Sequence, residues 1–220
     1  MKEKKKKVFS SWSGGKDSSL ACYKVMGGGF EVAYLLNLLS EDGKRERAHG
    51  TRPFLLQLQS EAMGIPIVHV NASWGGYESK FKHAVGELKH EGVIGGIFGD
   101  IDLIEHREWV ERVCKDLEIE PILPLWGLAP EDLALEFIEA GFEAIVVATR
   151  IKQEWLGRKF DRSFIAELKK FEFHLSGESG EYHTFVTDGP IFKRKIKVSE
   201  LEKVYVRGTW FLDIKAGELE

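Results

Sequence analysis

Short apolar runs alternate with longer amphipathic segments along the first part of the chain. The apolar runs predict strands at Val8–Trp12, Glu31–Leu39, Ile67–Val70, Val93–Phe98 and Pro121–Leu125. The segments between them predict helices at Asp17–Met26, Arg52–Met63, Tyr77–Glu91 and Asp102–Leu117. Strands joined through helices of this length form βαβ units, so we expect a parallel sheet with helices on both faces.

This alternation breaks down at Pro124 and Pro130, and we place a boundary near Trp126 that divides the chain into domains 1–126 and 127–220. The second part mixes element types, which predicts a smaller α+β domain. Its predicted helices are Glu131–Ala140 and Arg162–Phe171, and its predicted strands are Ala144–Thr149, Tyr182–Thr187 and final strands through Val204, Val206 and Thr209–Ile214, with a bulge at Gly208.

The charge balance disfavours a surface that coats nucleic acid. The chain has 31 basic and 35 acidic residues and a formal net charge of −4, whereas such binders are usually basic. We therefore expect no nucleic-acid partner. The basic start from Lys2 to Lys7 predicts a solvated tail, and an arm that touches RNA or an acidic partner is the alternative.

Cysteine usage and hydropathy indicate the cellular location that the sequence favours. Cys22 and Cys114 have no CxxC neighbour, which argues against a disulfide framework, a structural zinc site and a dithiol centre, and both are predicted to be buried. No apolar run approaches the roughly 20 residues that span a bilayer, so we expect no membrane partner and a cytoplasmic location. Few amide side chains beside many Lys and Glu residues are typical of a heat-adapted (thermophile) protein.

The strongest chemical signal is the loop between the first predicted strand and helix, Ser13-Gly14-Gly15-Lys16-Asp17-Ser18. Two glycines let the backbone turn tightly and bring N–H groups near an anion, and the following helix N-terminus adds positive potential. The hydroxyls and the lysine can donate to phosphate, while the aspartate can cap the helix or hold magnesium that bridges phosphates. An ordinary glycine turn with a capping aspartate is the alternative.

This loop resembles the SGGxDS pyrophosphate loop of the N-type ATP pyrophosphatases (PP-loop superfamily), and its place after the first strand also matches. The resemblance implies a Rossmann-like (HUP-type) sheet, ATP and Mg2+ as cofactors, and an adenylylating reaction that yields AMP and pyrophosphate. It implies that Asp17 is the metal ligand and that backbone groups near Leu38 recognise adenine. Gly99, at the end of the fourth predicted strand, is expected at the same nucleotide site.

A second dense cluster of functional groups is Gly177-Glu178-Ser179-Gly180-Glu181-Tyr182-His183-Thr184. Such density suits acid–base chemistry or cation contacts, with a surface turn as the alternative. The segment resembles the GEGGEYHT-like signature of the diphthine–ammonia ligase (diphthamide synthase) family. Agreement at Gln57–Pro66, Phe98–Asp100 and Pro124–Trp126 extends the resemblance over most of the chain, and Ser179 departs from the family's usual glycine.

The family resemblance implies an ATP-dependent ligase that amidates the trimethylated, histidine-derived diphthine on elongation factor 2. The diphthine carboxylate would be adenylylated with release of pyrophosphate, and ammonia would then displace AMP. Lys16 and the loop N–H groups are expected to stabilise charge on the pyrophosphate. Candidates for the base that takes a proton from ammonium are Asp100, Glu178, Glu181 and His183. Substrate contacts are expected from Gly177, Glu178, Gly180, Glu181, Tyr182 and Thr184, with the carboxylates or Tyr182 facing the quaternary ammonium of diphthine.

Other polar residues are predicted to lie on the surface, outside the site. His49 and Arg52 are expected to form an exposed loop pair, and His106–Glu108 to make surface ion pairs. Because neither cysteine looks reactive, free ammonia is the implied nitrogen source, and self-association into a homo-oligomer is left open. Another AMP-forming ligase, a tRNA-modifying enzyme or a non-catalytic ATP sensor on the same scaffold remain the competing functions.

Overall fold

A computed structural model describes residues 5–171 and 174–220 and confirms the predicted architecture, a parallel sheet with helices followed by a separate antiparallel sheet. The first part contains β1 (Lys6–Ser11), α1 (Lys16–Met26), β2 (Phe30–Leu39), α2 (Pro53–Met63), β3 (Ile67–Asn71), α3 (Tyr77–His90), β4 (Val93–Ile97), α4 (Ile104–Leu117) and β5 (Glu120–Ile122). The second contains α5 (Pro130–Glu139), β6 (Glu143–Thr149), a 3-10 turn (Gln153–Trp155), α6 (Arg162–Leu168), β7 (Tyr182–Asp188), β8 (Ile196–Val206) and β9 (Thr209–Leu219).

The parallel sheet has the strand order β3-β2-β1-β4-β5. The order reverses at β1, since β2 and β4 lie on its two sides. Ligands of open α/β sheets bind at such a switch point, outside the carboxyl ends of the strands. The loops after β1 to β4 therefore meet at one edge. The predicted phosphate motif and Gly99 lie in these loops, and Leu38 lies at the end of β2.

The second sheet has the order β7-β6-β9-β8, and its paired strands run antiparallel. The bulge predicted at Gly208 is wrong. Arg207 and Gly208 have φ values of 49° and 86° and form a two-residue turn between β8 and β9, which such left-handed residues favour. The irregularity lies instead at Glu200, where φ is 53° and the pairing passes from Ser199 to Leu201.

Most predicted elements agree with the structure to within two residues, and the largest miss is the start of β8 at Ile196. Only the four residues Ile196 to Ser199 alternate between apolar and polar, and the next four are all exposed, so the sequence marks this strand weakly. Helix α6 ends at Leu168, before the predicted end at Phe171. Within the basic start, Lys6 and Lys7 belong to β1 rather than to a tail, and Lys2–Lys4 lie outside the described residues.

One apolar cluster joins the two sheets. Val8 and Trp12 from the first part belong to the same buried cluster as Trp155, Phe164 and Tyr182 from the second. The two parts are thus packed through shared core, which holds the loops of one against the strands of the other.

Both cysteines are fully buried, as predicted, and burial raises the pKa of each thiol to about 12. No helix among residues 5–171 and 174–220 is long and apolar enough to cross a bilayer.

Asp213 on β9 ties the second sheet to the loop that follows β2. Its buried carboxylate accepts a bidentate pair from Arg52, with both N···O distances 2.8 Å, and a third bond from Arg45 Nη1 at 2.7 Å. These guanidinium groups hold the pKa of Asp213 well below its usual range. Arg52 is therefore a structural anchor and not half of an exposed loop pair.

We expect Asp213→Asn to lower the free energy of unfolding by about 3 kcal/mol, because it leaves two guanidinium groups around a neutral amide. The depressed pKa means that this stabilisation is complete above the unfolded pKa of about 4 and is lost as the pH falls. Urea unfolding at pH 7 and pH 3 measures both effects. Glu218→Gln, an exposed neutralisation on the same strand, is the control, and equal losses in the two variants would contradict the prediction.

Candidate functional site

A cleft of about 430 Å³ lies between the carboxyl edge of the parallel sheet and the start of β7. This volume is within the usual range for small-molecule sites, about 300 to 1,000 Å³. The predicted residues that line it are Ser13, Lys16, Asp17, Ser18, Leu38, Gly99, Asp100, Gly177, Glu178, Tyr182, His183 and Thr184. Four predicted residues do not line it: Gly14, Gly15, Gly180 and Glu181.

The phosphate loop requires glycine because neighbouring side chains leave no room for a Cβ atom. Gly14 has a φ of 80°, and a Cβ there would lie 2.5 Å from Leu56 Cδ2. A Cβ on Gly15 would lie 2.4 Å from His49 Cε1. A Cβ on Gly99 would lie 2.9 Å from the backbone of Asp17, so the end of β4 packs directly on the first turn of α1. The loop backbone is thereby held between α2, the loop after β2 and the end of β4.

Strand β7 continues this support across the boundary between the two sheets. The backbone N–H of Val186 donates to Gly14 O at 2.9 Å, and the N–H of Lys16 donates to Thr184 Oγ1 at 3.0 Å. Thr184 thus meets the first turn of α1 from the second part of the chain. The contact places the segment from Gly177 to Thr184, called the second motif from here on, directly beside the phosphate loop.

Gln59 is a supporting residue that sequence reasoning did not single out. Its fully buried side chain accepts from Trp12 Nε1 at 2.9 Å and donates to Gly14 O at 3.0 Å and Val186 O at 2.7 Å. One amide therefore links α2, the phosphate loop and β7. The available signal was a polar residue four positions after Leu55, on the apolar face of the helix.

Lys16 lines the cleft with its ammonium already partnered. Nζ lies 2.7 Å from Asp17 Oδ2 and donates to Ser176 O at 2.6 Å, and it sits 5.4 Å from the centre of the Tyr182 ring. The residue is only 4% exposed. The predicted mobile charge is thus a buried cation that holds the second motif against α1.

Among the predicted bases, Glu178 is the one whose surroundings bring its pKa close to neutral pH. Burial and the nearby charges of Asp17 and Asp100 raise its pKa to about 7, against the opposing effect of Lys16 and His106. Asp100 itself accepts from His106 Nδ1 at 3.1 Å, which raises the pKa of that histidine. A carboxyl group with a pKa near neutrality can exchange protons in either direction at physiological pH.

His49 and His183 form a stacked pair in the cleft. Their ring centres are 4.5 Å apart with an angle of 26° between the planes, and His49 Nδ1 lies 2.9 Å from Thr184 O. Burial lowers the pKa of His49 to about 4 and that of His183 well below its usual value. Both imidazoles are therefore neutral at pH 7, and His49 is a cleft residue instead of the expected exposed loop residue.

Glu181 and Tyr182 are turned into the structure more than the sequence suggested. Among the described residues Glu181 Oε2 is buried without a hydrogen-bond partner, while its carbonyl accepts from the N–H of Arg150 at 3.0 Å. The hydroxyl of Tyr182 donates to Leu175 O at 2.5 Å, its residue is 1% exposed, and burial raises its pKa well above the usual value.

The loop that carries Glu178 adopts left-handed backbone at two glycines. Gly177 has a φ of 72° and Gly180 a φ of 83°, whereas Ser179 is not among the residues with positive φ. Serine at this position therefore meets no backbone strain. The departure from the family signature falls where a side chain is tolerated.

The residues present suit magnesium nucleotide better than a metal held by protein alone. Among residues 5–171 and 174–220 no group of three or more His, Cys, Asp and Glu side chains could hold a metal ion. Magnesium is usually bound through one or two carboxylates together with substrate phosphates. Asp17 lies at the first turn of α1, beside the glycine loop that would face those phosphates.

A parallel sheet with a glycine loop at its switch point and a cleft of this size defines an α/β protein of the nucleotide-binding type. Two family models match nearly the whole chain, the diphthamide synthase N-terminal domain over residues 6–121 and the diphthamide synthase C-terminal domain over residues 129–219. The chain belongs to the diphthamide synthase family.

Proteins named diphthine–ammonia ligase are similar along most of the sequence. The Rattus norvegicus protein is 30% identical over 230 residues, covering 90% of this chain and 85% of the relative. The Homo sapiens protein is 29% identical with the same coverage, and the Schizosaccharomyces pombe protein is 31% identical over 37% of its own length. A solved structure described as a predicted subunit of tRNA methyltransferase, from Methanocaldococcus jannaschii, aligns over 82% of this chain and 96% of its own at 16% identity, with a TM-score of 0.46.

Proposed function

We propose that this protein is a diphthine–ammonia ligase, which uses ATP to convert diphthine on elongation factor 2 to diphthamide. The observation that carries the proposal is the shared cleft. It joins the phosphate loop of the parallel sheet to the carboxyl and imidazole groups of the second motif. A site that activates a carboxylate and then aminates it needs both sets of groups within reach of one substrate.

The first proposed step joins the diphthine carboxylate to the α-phosphorus of ATP and releases pyrophosphate. This activation is needed because the oxygen of a carboxylate is a poor leaving group, whereas AMP is a good one. N–H groups of the loop and first turn of α1 stabilise the negative charge on the departing pyrophosphate. Magnesium held at Asp17 would neutralise part of the same charge. Lys16 contributes its positive charge from the wall of the cleft, and its bond to Ser176 O keeps the following loop in place.

The second proposed step forms the amide. Ammonium gives up one proton, ammonia attacks the acyl carbon, and AMP leaves with the pair of electrons of the cleaved C–O bond. The attacking nitrogen loses a second proton as the neutral amide forms, and the phosphate of the departing AMP takes it. Glu178 is the group that we assign to the proton, since its pKa of about 7 leaves it largely ionised just above neutral pH. The neutral pair His49 and His183 can accept or donate hydrogen bonds there without adding a positive charge that would repel ammonium.

Adenine is expected at the end of β2. The ladder between β1 and β2 ends at Ser11 and Leu36, so β2 continues beyond its neighbour through Leu38. Backbone groups that project past the end of a neighbouring strand can bind a base edge. Free ammonia as the nitrogen source, a cytoplasmic location and the absence of a nucleic-acid partner remain predictions of the same proposal.

The deciding experiment measures AMP, pyrophosphate and the mass of the modified histidine. The protein is incubated with magnesium ATP, ammonium and diphthine-bearing elongation factor 2, and each component is omitted in turn. We expect AMP and pyrophosphate in equal amounts, an amide on the factor, and no amide without ammonium. ATP binding without pyrophosphate release under any condition would instead indicate a sensor. Release with a different acceptor would indicate another AMP-forming ligase.

We also expect Asp17→Asn to raise the Kd for magnesium ATP about tenfold, equivalent to about 1.4 kcal/mol. The physical reason is loss of a carboxylate contact to the metal that accompanies the phosphates. Titration calorimetry with and without magnesium measures the effect. Asp116→Asn, at an exposed surface pair on α4, is the control, and an unchanged Kd in Asp17→Asn would remove this residue from the metal site.

A further inference from the structure

A second cavity lies next to the cleft and shares a wall with it. Its volume is about 550 Å³, and it is bounded by the loop after β2, the residues after β3 and the turn between β8 and β9. Glu46, Arg47 and Trp74 line both this cavity and the cleft. These three residues thus form the boundary between the two spaces.

Trp74 is unusual because its large aromatic side chain is almost fully exposed to solvent at the boundary of the two cavities. The residue is 84% exposed, and the guanidinium carbon of Arg47 lies 4.0 Å from the centre of its ring. The same guanidinium lies 5.7 Å from the ring of Tyr77, which also lines the cleft. Two aromatic faces therefore already hold a planar cation, which is the arrangement that attracts quaternary ammonium groups.

Negative charge lies behind these rings. Glu46 is 6% exposed, and burial raises its pKa to about 7 despite hydrogen bonds from the N–H groups of Ala48 and His49. The pKa of Tyr77 is raised to about 12 by burial and by the charges of Glu46 and Asp100. Carboxyl groups thus lie close to the aromatic pair. The guanidinium of Arg47 donates to Ala72 O, and its charge acts on Glu46 without a direct ion pair.

The alternative candidate for cation binding was Tyr182, and its surroundings argue against it. Its ring is buried and already faces the ammonium of Lys16 at 5.4 Å. A bulky trimethylammonium group has no open face to contact there. Trp74 offers an accessible face in the same cleft as Asp17 and Glu178.

We infer that Trp74, Tyr77, Glu46 and Arg47 form a recognition site for a quaternary ammonium group next to a carboxylate. The ammonium takes the place of the Arg47 guanidinium on the indole, and the released guanidinium pairs with the neighbouring carboxylate. The inference rests on the proposed function, because diphthine carries a trimethylammonium group beside the carboxylate to be amidated. It assigns substrate specificity to the loops after β2 and β3, outside the second motif.

Two small probes separate the parts of this site. Tetramethylammonium presents only the cation, whereas glycine betaine presents the cation and an adjacent carboxylate. Binding of each to the full chain is followed by saturation-transfer NMR on the single methyl signal. Trp74→Ala is expected to weaken both probes about fivefold, within the range of cation–π contacts. Trp74→Phe is expected to restore binding, because it keeps an aromatic face.

Arg47→Ala distinguishes recognition from general loss of structure. It is expected to weaken glycine betaine but to leave tetramethylammonium unchanged or bound more tightly, since the indole face is freed. Tyr205→Ala, which removes a 59% exposed aromatic side chain outside both cavities, is the matched control. Equal binding of both probes to Trp74→Ala and to Tyr205→Ala would overturn the inference, and so would parallel losses of both probes in Arg47→Ala.

Kinetics with the protein substrate separate this inference from the proposed function. In Trp74→Ala we expect the KM for diphthine-bearing elongation factor 2 to rise about fivefold with the KM for ATP unchanged. If the unaltered protein forms no amide but binds the probes through Trp74, the proposed function fails and the cation site stands. If it forms the amide and neither KM nor probe binding depends on Trp74, the cation site alone is refuted.

Discussion

Glu178→Gln is expected to lower the rate of amide formation about 100-fold at pH 8, within the usual range for loss of a general base. The unaltered protein should show a rate that rises with pH and levels off above an apparent pKa of about 7, the value that burial, Asp17 and Asp100 set for this carboxyl. The glutamine variant lacks the titrating group and should lose that rise. Initial rates of AMP release from pH 5.5 to 9, at saturating total ammonia, measure both expectations.

Glu181→Gln is the matched control, because it makes the same change three residues away at a position that does not line the cleft. We expect it to keep the pH-dependent rise. A Glu178→Gln variant that retains the rise would exclude Glu178 as the base and direct attention to Asp100 or His183. Adenylylation, followed as pyrophosphate exchange without ammonium, should be much less affected by Glu178→Gln, which separates the two chemical steps.

Gln59→Leu is expected to lower the free energy of unfolding by about 3 kcal/mol and to abolish measurable ATP binding. The substitution keeps the approximate size of the side chain but removes its bonds to Trp12, Gly14 and Val186. The buried N–H of the Trp12 indole loses its acceptor, at a cost of about 1–3 kcal/mol, and the carbonyls of Gly14 and Val186 each lose a donor. Because Gly14 belongs to the phosphate loop, the same loss loosens the backbone that would bind phosphate.

Gln57→Leu provides the comparison, since Gln57 lies on the exposed side of the same helix and bonds only to Glu61. We expect a change in stability within about 0.5 kcal/mol and normal ATP binding in that variant. Urea unfolding and nucleotide titration measure the two variants side by side. A Gln59→Leu protein with full stability and unchanged ATP affinity would show that this amide does not support the loop.

The parallel sheet and the phosphate loop were predictable because their signals are local. Apolar runs such as Glu31–Leu39 and helix boundaries such as Pro53 and Gly64 depend on neighbours a few residues away. The same holds for Ser13–Ser18, whose glycines mark a turn before a helix. Seven of the predicted site residues line the cleft from the parallel sheet, because the carboxyl ends of its strands meet at one edge. Five more, between Gly177 and Thr184, reach the same cleft from the second part of the chain.

Residues whose roles depend on distant partners could not be predicted in this way. His49 acquires its position from Thr184, 135 residues away, and Arg52 from Asp213, 161 residues away. Gln59 stands out in the sequence only as a polar residue on the apolar face of its helix, and its three partners are known only once β7 and the phosphate loop are packed against it. Strand β8 carries only a short apolar alternation, from Ile196 to Ser199, since β9 supplies its pairing while most of its later side chains stay exposed.

The sequence by itself determined the order of elements, the chemical type of the loop and the cluster of carboxyl and imidazole groups in the second motif. The tertiary structure decided which of these groups share a cleft, placing Glu178 there and Glu181 outside its lining. It also decided that Lys16 is a buried partner of Ser176 and that Trp74 stands open beside Arg47. The physical reason is that backbone preference acts over a few residues, whereas burial, charge and acidity are set by groups that only folding brings together.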